Sequence, residues 1–462
     1  MKQSSISPQK WILLISLVIS TMMLAFTAHA FKKAARGDLC DFQAYYVAAK
    51  ALCEHNDPYV FAERPYIYPP LFATLCMPLA LLPANIAAMA YVPVMVAAIL
   101  LSFSWGVREI LRRFNVPVTP LLFGITLLIS FAIMEDRIKS DLQMFQVNSL
   151  LLFLLVLSLR WLDRRPFLAG AALGLAMNIK AFPIIMLPYL LFRRRYRSAA
   201  SMVITTIAFG LLPAGALGWK TNLQYLAQSS GGFLSLLGIQ TGVHQKAQIK
   251  DVTASYSVSL PSGIVRMVGP GHELLAWAAV GTIFLAIIVF GAWVYRRGGI
   301  PRLHWPDASQ QQQQPWQALI ALEWAVLIAL ALIFSPQTNS RHLLMLAPLP
   351  MLGAAMLVKS FPKPGWIWVL TGTALAWASI TLPPGSFRIL FLHTAHVFWQ
   401  FVGGPSWILL AAIPPLLWGA IRVVKSLTPD ESVIGVTPTE FRTDNACEGA
   451  KPTHGDNGDR ET

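Results

Sequence analysis

GDLCDFQAYYVAAKALCEHNDPYVFAERPYIYPP, residues Gly37–Pro70, is the longest polar interval in the N-terminal half of this 462-residue chain. It holds five acids and a run of tyrosines, and it closes on Tyr68-Pro69-Pro70. One apolar segment precedes it and a long series follows. That arrangement makes the series a set of membrane spans and the interval a loop held at their mouth. Composition agrees: 55% of residues are hydrophobic and 13% charged, where soluble domains carry about 25% charged residues. The chain is expected to be an all-α polytopic membrane protein with an interfacial helix inside this first loop.

Net charge is +14 but unevenly placed. From Thr428 onward there are eight acids against three bases; the rest carries thirty-three bases against fourteen acids. The bases fall in short clusters between apolar runs, as the positive-inside rule requires, and not in the stripe that nucleic-acid binding demands. Two regions follow: residues 1–427, a multi-spanning domain, and residues 428–462, an acidic tail with too little apolar surface to fold. The four cysteines, Cys40, Cys53, Cys76 and Cys447, contain no CxxC pair and hence no zinc signature. A helix over Asp41–Glu54 would hold Cys40 and Cys53 roughly 20 Å apart, too far to bridge, so free thiols are expected.

The first apolar run, Trp11–Phe31, ends in Ala28-His29-Ala30, which resembles a signal-peptidase site. The run exceeds the roughly 7–15 residues of a signal-peptide core, so an uncleaved first helix is expected. Further spans are read at Ile86–Val107, Pro117–Met134, Val147–Trp161, Phe167–Asn178, Ala181–Phe192, Ser198–Trp219, Glu273–Tyr295, Gln317–Phe334, His342–Val358, Gly365–Leu382 and Pro405–Val424. The clusters at Arg108–Arg113, Arg164/Arg165, Arg193–Arg197, Arg296–Arg302 and Lys359/Lys363 all fall on the cytoplasmic side if Leu71–Pro83 does not cross. The result is about twelve crossings with both termini in the cytoplasm. Residues 37–70, 135–146, 220–272, 335–341 and 383–404 become outer loops, Lys180 sits in an outer turn, and the glutamine run Gln310–Gln314 reads as a solvated linker.

The polar residues without a topological duty therefore gather on one side. Asp41 stands one helical turn before Tyr45. It suits either of two roles, the N-cap of an interfacial helix or a general base on an alcohol; Asp38 is the alternative cap and a candidate substrate contact. Asn56-Asp57-Pro58-Tyr59 reads as a turn. Tyr66 and Tyr68 could form an aromatic belt or stack on a sugar, and Tyr45 and Tyr68 are candidate substrate contacts. Glu135–Asp141 reads as self-paired surface charge. Gln146 and Asn148 could donate hydrogen bonds to a hydroxylated substrate. Lys180, Arg341 and His342 are cations on the side where few are expected, suited to an anionic leaving group. His244, Ser257–Leu260 and Arg266 are weaker candidates. No Walker, GxGxxG or HExxH motif occurs, so no cofactor is expected, although Asp38 and Asp136 leave room for a divalent cation.

Asp41-Phe-Gln-Ala-Tyr45-Tyr46, Asn56-Asp57-Pro58-Tyr59, Tyr68-Pro69-Pro70-Leu71, Leu81-Leu82-Pro83, Gln146-Val147-Asn148, Gly170…Gly174…Lys180-Ala-Phe-Pro183 and Ser335-Pro336…His342 follow one another in this chain. Together they resemble glycosyltransferase family 87, polytopic enzymes of the GT-C superfamily, over roughly Trp11 to Val424. The resemblance implies Asp41 as the catalytic acid/base and a polyprenyl-phosphate-linked hexose, typically mannose, as donor. It implies transfer with inversion to a lipid or glycan acceptor at the outer face of the cell membrane. Phe145 stands where the family has glycine, and its large-loop element is reduced here to Ser257-Val258-Ser259-Leu260. Rival readings are a transporter or flippase without chemistry, which needs ionisable residues along a pathway and for which Glu323 stands out, and a lipid-linked glycan ligase or polymerase.

Overall fold

The computed structural model describes residues 7–59, 65–236, 252–300, 314–362, 365–381 and 398–425. His244, Cys447, residues 383–397 of the expected last outer loop, nearly all of the glutamine run and the acidic tail lie outside them. The described residues form helices throughout: α1 (Pro8–Ala35), α2 (Phe42–Cys53), α3 (Pro70–Ala80), α4 (Ala84–Arg113), α5 (Pro120–Met144), α6 (Asn148–Trp161), α7 (Pro166–Ile179), α8 (Met186–Phe192), α9 (Tyr196–Leu211), α10 (Ala214–Leu217), α11 (Trp219–Leu236), α12 (Leu260–Val268), α13 (Glu273–Arg297), α14 (Gln314–Phe334), α15 (Pro348–Ser360), α16 (Trp366–Thr381) and α17 (Gly404–Lys425). Two 3₁₀ segments, Phe182–Ile185 and Ser340–Leu346, precede α8 and α15. The one β feature among the described residues is an isolated antiparallel bridge between Ser257 and Asn339.

Six helices are long and apolar enough to cross a membrane, or seven if Ser340–Leu346 and α15, bent by 42°, form one span. The chain is an all-α polytopic membrane protein. Helix length accounts for six or seven of the about twelve crossings expected, and the other expected spans correspond to shorter or broken helices. The expected interfacial helix is α2, packed on α3. At eleven residues, α3 is about 16 Å long, well short of a ~30 Å hydrocarbon core. Two expected loops carry helix instead. Residues 135–144 continue α5, because Glu135–Met144 holds no helix breaker, and residues 220–272 include most of α11 and all of α12.

The sequence explains the packing order. α14 forms the interior, with 72% of its apolar window buried, whereas α1 and α13 bury 17% and 11% and face outward. The closest pairing is α7 on α9. A Cβ on Gly170 would stand 2.8 Å from the Met202 nitrogen, and one on Gly174 would stand 2.8 Å from that of Thr206. Glycine at this four-residue spacing lets two backbones touch, as in membrane helix pairs generally. The contact fixes the end of α7, from which Lys180 departs.

Charged groups mark one end of the bundle. Arg113, wholly buried, donates to Glu109 (2.7 Å), Asp163 (2.7 Å), Gln317 (2.8 Å) and the Leu159 carbonyl (2.9 Å), while Arg195 reaches Asp163 at 2.6 Å. Lys359 donates to the Asn115 carbonyl, and Lys425 to that of Arg297. The ends of α4, α6, α13, α15 and α17 and the starts of α9 and α14 therefore share one side, and it carries the basic clusters. Glu323 accepts hydrogen bonds from Tyr295 (2.7 Å), Tyr189 (3.0 Å) and Arg193 (3.0 Å) near the same end. It is a structural knot there, which removes the one feature that pointed to a transport pathway. Cys40, Cys53 and Cys76 are free thiols, as expected.

Removing Arg113 leaves Glu109 to Arg112 and Asp163 to Arg195, but strips this donor from Gln317 and the Leu159 carbonyl. Arg113→Leu should cost about 1–3 kcal/mol for the acceptors that lose it, read as a lower unfolding midpoint in detergent. An unchanged midpoint would show that the network carries no stability.

Candidate functional site

At the opposite end of the bundle, the turn between α1 and α2 is clamped before it reaches Asp41. Lys33 donates to the Cys40 thiol at 3.1 Å, that thiol donates to Asp38 at 3.1 Å, and Lys33 pairs with Asp38 at 3.1 Å. Cys40 takes φ 46°, a left-handed conformation that closes the turn. Asp38 thus serves this local clamp, with its side chain 55% exposed.

Asp41 occupies the N-cap position of α2 but makes no side-chain capping bond. Its backbone N–H donates to the Met144 carbonyl at 3.2 Å, tying the first loop to the end of α5. Its carboxylate faces elsewhere: Oδ2 accepts from Arg341 Nη1 at 3.1 Å and from Gln146 Nε2 in a short contact. Carboxylate and guanidinium remain 27% and 29% exposed, so the pair is reachable from a cleft and only modestly stabilising. Of the two roles open to Asp41, this geometry excludes the cap.

Gln146 is delivered by the break between α5 and α6. Phe145 ends α5 at φ 53°, a backbone conformation that glycine adopts freely and other residues rarely. That is the physical reason for the glycine in the resembled pattern; here a fully buried ring fills the position. The Gln146 N–H then returns to the Asp141 carbonyl at 3.1 Å, and α6 begins at Asn148. Asn148 Nδ2 lies 3.1 Å from Asp141 Oδ1, 3.3 Å from Gln146 Oε1 and 3.4 Å from the Arg341 carbonyl. Gln146 and Asn148, expected to meet substrate, instead point at the carboxylates and hold the site together.

Arg341 and His342 come from the turn before α15. Asn339 caps that turn, its side chain accepting from the Arg341 N–H at 3.3 Å, and its own N–H donating to His342 Nδ1 at 3.3 Å. Ser257–Ser262 braces it: the Val258 N–H donates to the Thr338 carbonyl at 2.7 Å, and the Ser262 hydroxyl to that of Pro336 at 3.0 Å. Arg266 in turn donates to the carbonyls of Ala254, Ser257, Gln400 and Phe401 at 2.7–2.9 Å. These weaker sequence candidates are therefore braces for the turn that presents Arg341. Across the cleft, Lys180 Nζ and His342 Nε2 lie 2.7 Å apart. Desolvation lowers the Lys180 amine to about 7, against the pull of Asp141 and Asp41. Since Nδ1 accepts from Asn339, a neutral ring carries its proton on Nε2 and offers it to an unprotonated amine.

The tyrosines pack inward and form no lipid-facing belt. Tyr45 is buried, its ring edge-on to Tyr68 (5.7 Å) and Phe72 (5.1 Å). Tyr59 donates to the Tyr68 carbonyl at 2.8 Å and Tyr66 to that of Pro69 at 2.7 Å. Burial, joined by the charges of Asp41 and Asp141, pushes the Tyr68 phenol up to about 12, so it stays a proton donor beside the site. Asp57 accepts the Tyr59 N–H at 2.9 Å, completing the expected turn. The residue missed from sequence is Asp141, which is wholly buried rather than part of a surface charge pair. Arg137, four residues earlier on the same helical face, is buried as well, and nothing in the run itself marks either residue as inward-facing. Among the described residues, no group of three or more His, Cys, Asp or Glu side chains is arranged to hold a metal ion.

A carboxylate faced by a guanidinium, an amine and an imidazole, set at one end of a helical membrane bundle, is the equipment of an integral-membrane transferase. The sequence model of glycosyltransferase family 87 matches residues 66–336, more than half of the chain, and the chain belongs to that family. The match contains Tyr68, Asp141, Gln146, Asn148 and Lys180 and leaves out Asp41, Arg341 and His342. The chain is 24% identical over 388 residues to a polyprenol-phosphate-mannose-dependent alpha-(1-2)-phosphatidylinositol mannoside mannosyltransferase of Mycolicibacterium smegmatis, covering 80% of this chain and 78% of that one. It is 27% identical over 265 residues to a polyprenol-phosphate-mannose-dependent alpha-(1-2)-phosphatidylinositol pentamannoside mannosyltransferase of Mycobacterium tuberculosis, covering 54% and 56%. An alpha-(1->3)-arabinofuranosyltransferase of Mycobacterium tuberculosis is 28% identical over 159 residues, covering 33% and 35%. The chain is thus a membrane glycosyltransferase.

The lowered Lys180 amine is directly measurable. Competitive acylation followed by peptide mass spectrometry should give Lys180 a reactivity midpoint near pH 7, where an ordinary lysine reaches it near 10.4. An ordinary midpoint would show that the cleft does not desolvate it.

Proposed function

We propose that this enzyme transfers a hexose, in the first instance mannose, from a polyprenyl-phosphate donor to a hydroxyl of a lipid or glycan acceptor. The observation that carries this reading is the Asp41 carboxylate, held by Gln146 and Arg341 and not spent on capping α2. The donor class follows the printed activities of two of the relatives. No metal or cofactor is required by the reading.

Asp41 accepts the proton of the acceptor hydroxyl while that oxygen bonds to the anomeric carbon of the sugar. The bond from that carbon to the phosphate oxygen breaks, and polyprenyl phosphate leaves with the electron pair. Attack and departure occupy opposite faces of the carbon, so its configuration inverts. The leaving phosphate is a stable anion and needs no strong general acid. Its growing charge calls for Arg341, Lys180 and His342, placed where that charge develops. The Arg341–Asp41 ion pair then acquires a use. Before the donor arrives, the two are paired; the arriving phosphate draws Arg341 away and turns the Asp41 carboxylate to the acceptor hydroxyl. Tyr68, a permanent donor beside the carboxylates, suits a sugar hydroxyl.

The site is assigned to the outer face of the cell membrane, with both termini in the cytoplasm. The support is that Lys33, at the far end of α1, lies with the Asp38–Asp41 turn, whereas the basic clusters gather at the opposite end of the bundle.

Asp41→Asn should lower turnover of labelled polyprenyl-phosphate mannose by about 10²–10⁴-fold with expression and membrane insertion unchanged; a normally active Asp41→Asn enzyme ends this reading. Lys180 must be protonated to hold phosphate, so kcat/KM for the donor should fall as pH rises through about 7. Lys180→Arg, charged throughout, should flatten that limb, and a limb that persists in Lys180→Arg would take Lys180 out of the phosphate site.

A further inference from the structure

The reaction above uses Asp41, the cations and Tyr68, and leaves unexplained a second carboxylate, Asp141, wholly buried behind them. A buried carboxylate is costly unless its oxygens are met. Both are: Oδ1 faces Asn148 Nδ2 at 3.1 Å, and Oδ2 accepts the Ser149 N–H at 3.3 Å, in the first turn of α6. The amine of Lys180 is close enough to interact with it as a charge.

We propose that Asp141 is a positioning residue that sets the polarity of the Asn148 and Gln146 amides and so aims the Gln146 NH₂ at Asp41. The proposal rests on Asp41 being the base. Each amide has an accepting and a donating end, and only one order of ends works here. Burial raises the Asp141 carboxyl to about 7, against the hydrogen bonds from Asn148 and Ser149. The ionised form, which those bonds favour, can only accept, so Asn148 then turns its NH₂ toward it. That NH₂ also meets Gln146 Oε1 and the Arg341 carbonyl. The Gln146 oxygen is thereby committed to Asn148, and its NH₂ is left for Asp41 Oδ2. Reversing Asn148 would set its oxygen against three acceptors at 3.1–3.4 Å.

The chosen polarity has a visible cost. Asn148 Oδ1 is buried with no hydrogen-bond partner among the described residues, a penalty of about 1–3 kcal/mol. It is tolerated because the charge-assisted bond to Asp141 and the two further acceptors all demand the NH₂. With Asp141 neutralised, Asn148 loses its strongest director. Gln146 is then free to reverse and present oxygen to the Asp41 carboxylate, which repels it and lets the base swing.

The competing explanation is that Asp141 merely caps α6 through Ser149, and a double-mutant cycle separates the two. Asp141→Asn in an otherwise wild-type enzyme should lower kcat about 10–100-fold, the scale of a misplaced catalytic group, with the donor KM within about threefold. In a Gln146→Ala background the same change should lower kcat less than about threefold further, because the relay is already cut. A capping residue would cost the same in both backgrounds, and that result, or an unchanged kcat in Asp141→Asn, overturns the proposal. Should Asp141→Asn fail to fold, Asn148→Leu cuts the relay and spares the Asp141–Ser149 bond. It should then show the same loss and the same dependence on Gln146, and independence from Gln146 overturns the proposal equally. Asp41→Asn, assayed alongside, keeps the failures apart: an active Asp41→Asn removes the base assignment itself, whereas an inactive one with independent Asp141 and Gln146 effects removes only the relay.

Discussion

The contact between Asp41 and Arg341 joins positions 300 residues apart, and much of the site end of the bundle is arranged to make it. A carboxylate near a membrane surface needs a counter-charge, and one proposed to take a proton must stay reachable. The solution is a single guanidinium on a braced turn, reached from a partly exposed cleft. Each side of the contact is tied down by backbone. Asp41 is bound to the end of α5 through Met144, and Arg341 rests on the turn that Ser257–Ser262 and Arg266 hold from the other side. Residues that seemed candidates for chemistry in the large loop are better understood as this scaffolding.

The opposite end is organised by different physics. Arg113, buried, and Glu323, 11% exposed, are each met by several partners and lock helix ends together. Buried networks of this kind are rigid because a half-satisfied one is costly. The enzyme thus has a locked basic end and a site end where Asp41, Arg341, Lys180 and a neutral His342 lie together. Glycine contacts between α7 and α9 carry the rigidity up to Lys180.

The membrane class, the helical architecture and the family were legible in the chain, because apolar run length and charge spacing are local properties. So was the grouping of Asp41, Lys180, Arg341 and His342 on one side, since the positive-inside rule makes stray cations conspicuous. The helix boundaries around Glu135–Met144 were not legible: a charged run reads as a loop when nothing in the run reveals that Arg137 and Asp141 turn inward. The fate of Gln146 and Asn148 was hidden for the same reason. Whether an amide faces a substrate or a neighbouring carboxylate depends on which carboxylate is buried beside it, a long-range fact. Spacing alone left Asp38 and Asp41 as alternative caps and the resemblance singled out Asp41; the Lys33–Cys40 clamp on Asp38 was not visible in the sequence. Of the about twelve crossings expected, helix length counts six or seven, because several apolar segments are broken or short.

The central claim is that donor phosphate takes Arg341 from Asp41. It is tested most directly by a cryo-EM structure with a non-hydrolysable polyprenyl-phosphonate mannose bound. The account predicts the phosphonate within hydrogen-bonding distance of Arg341 and Lys180, the Arg341–Asp41 contact opened, and Asp41 still held by Gln146 and facing the anomeric carbon. A phosphonate seated away from Arg341, with the Arg341–Asp41 pair intact, would contradict it.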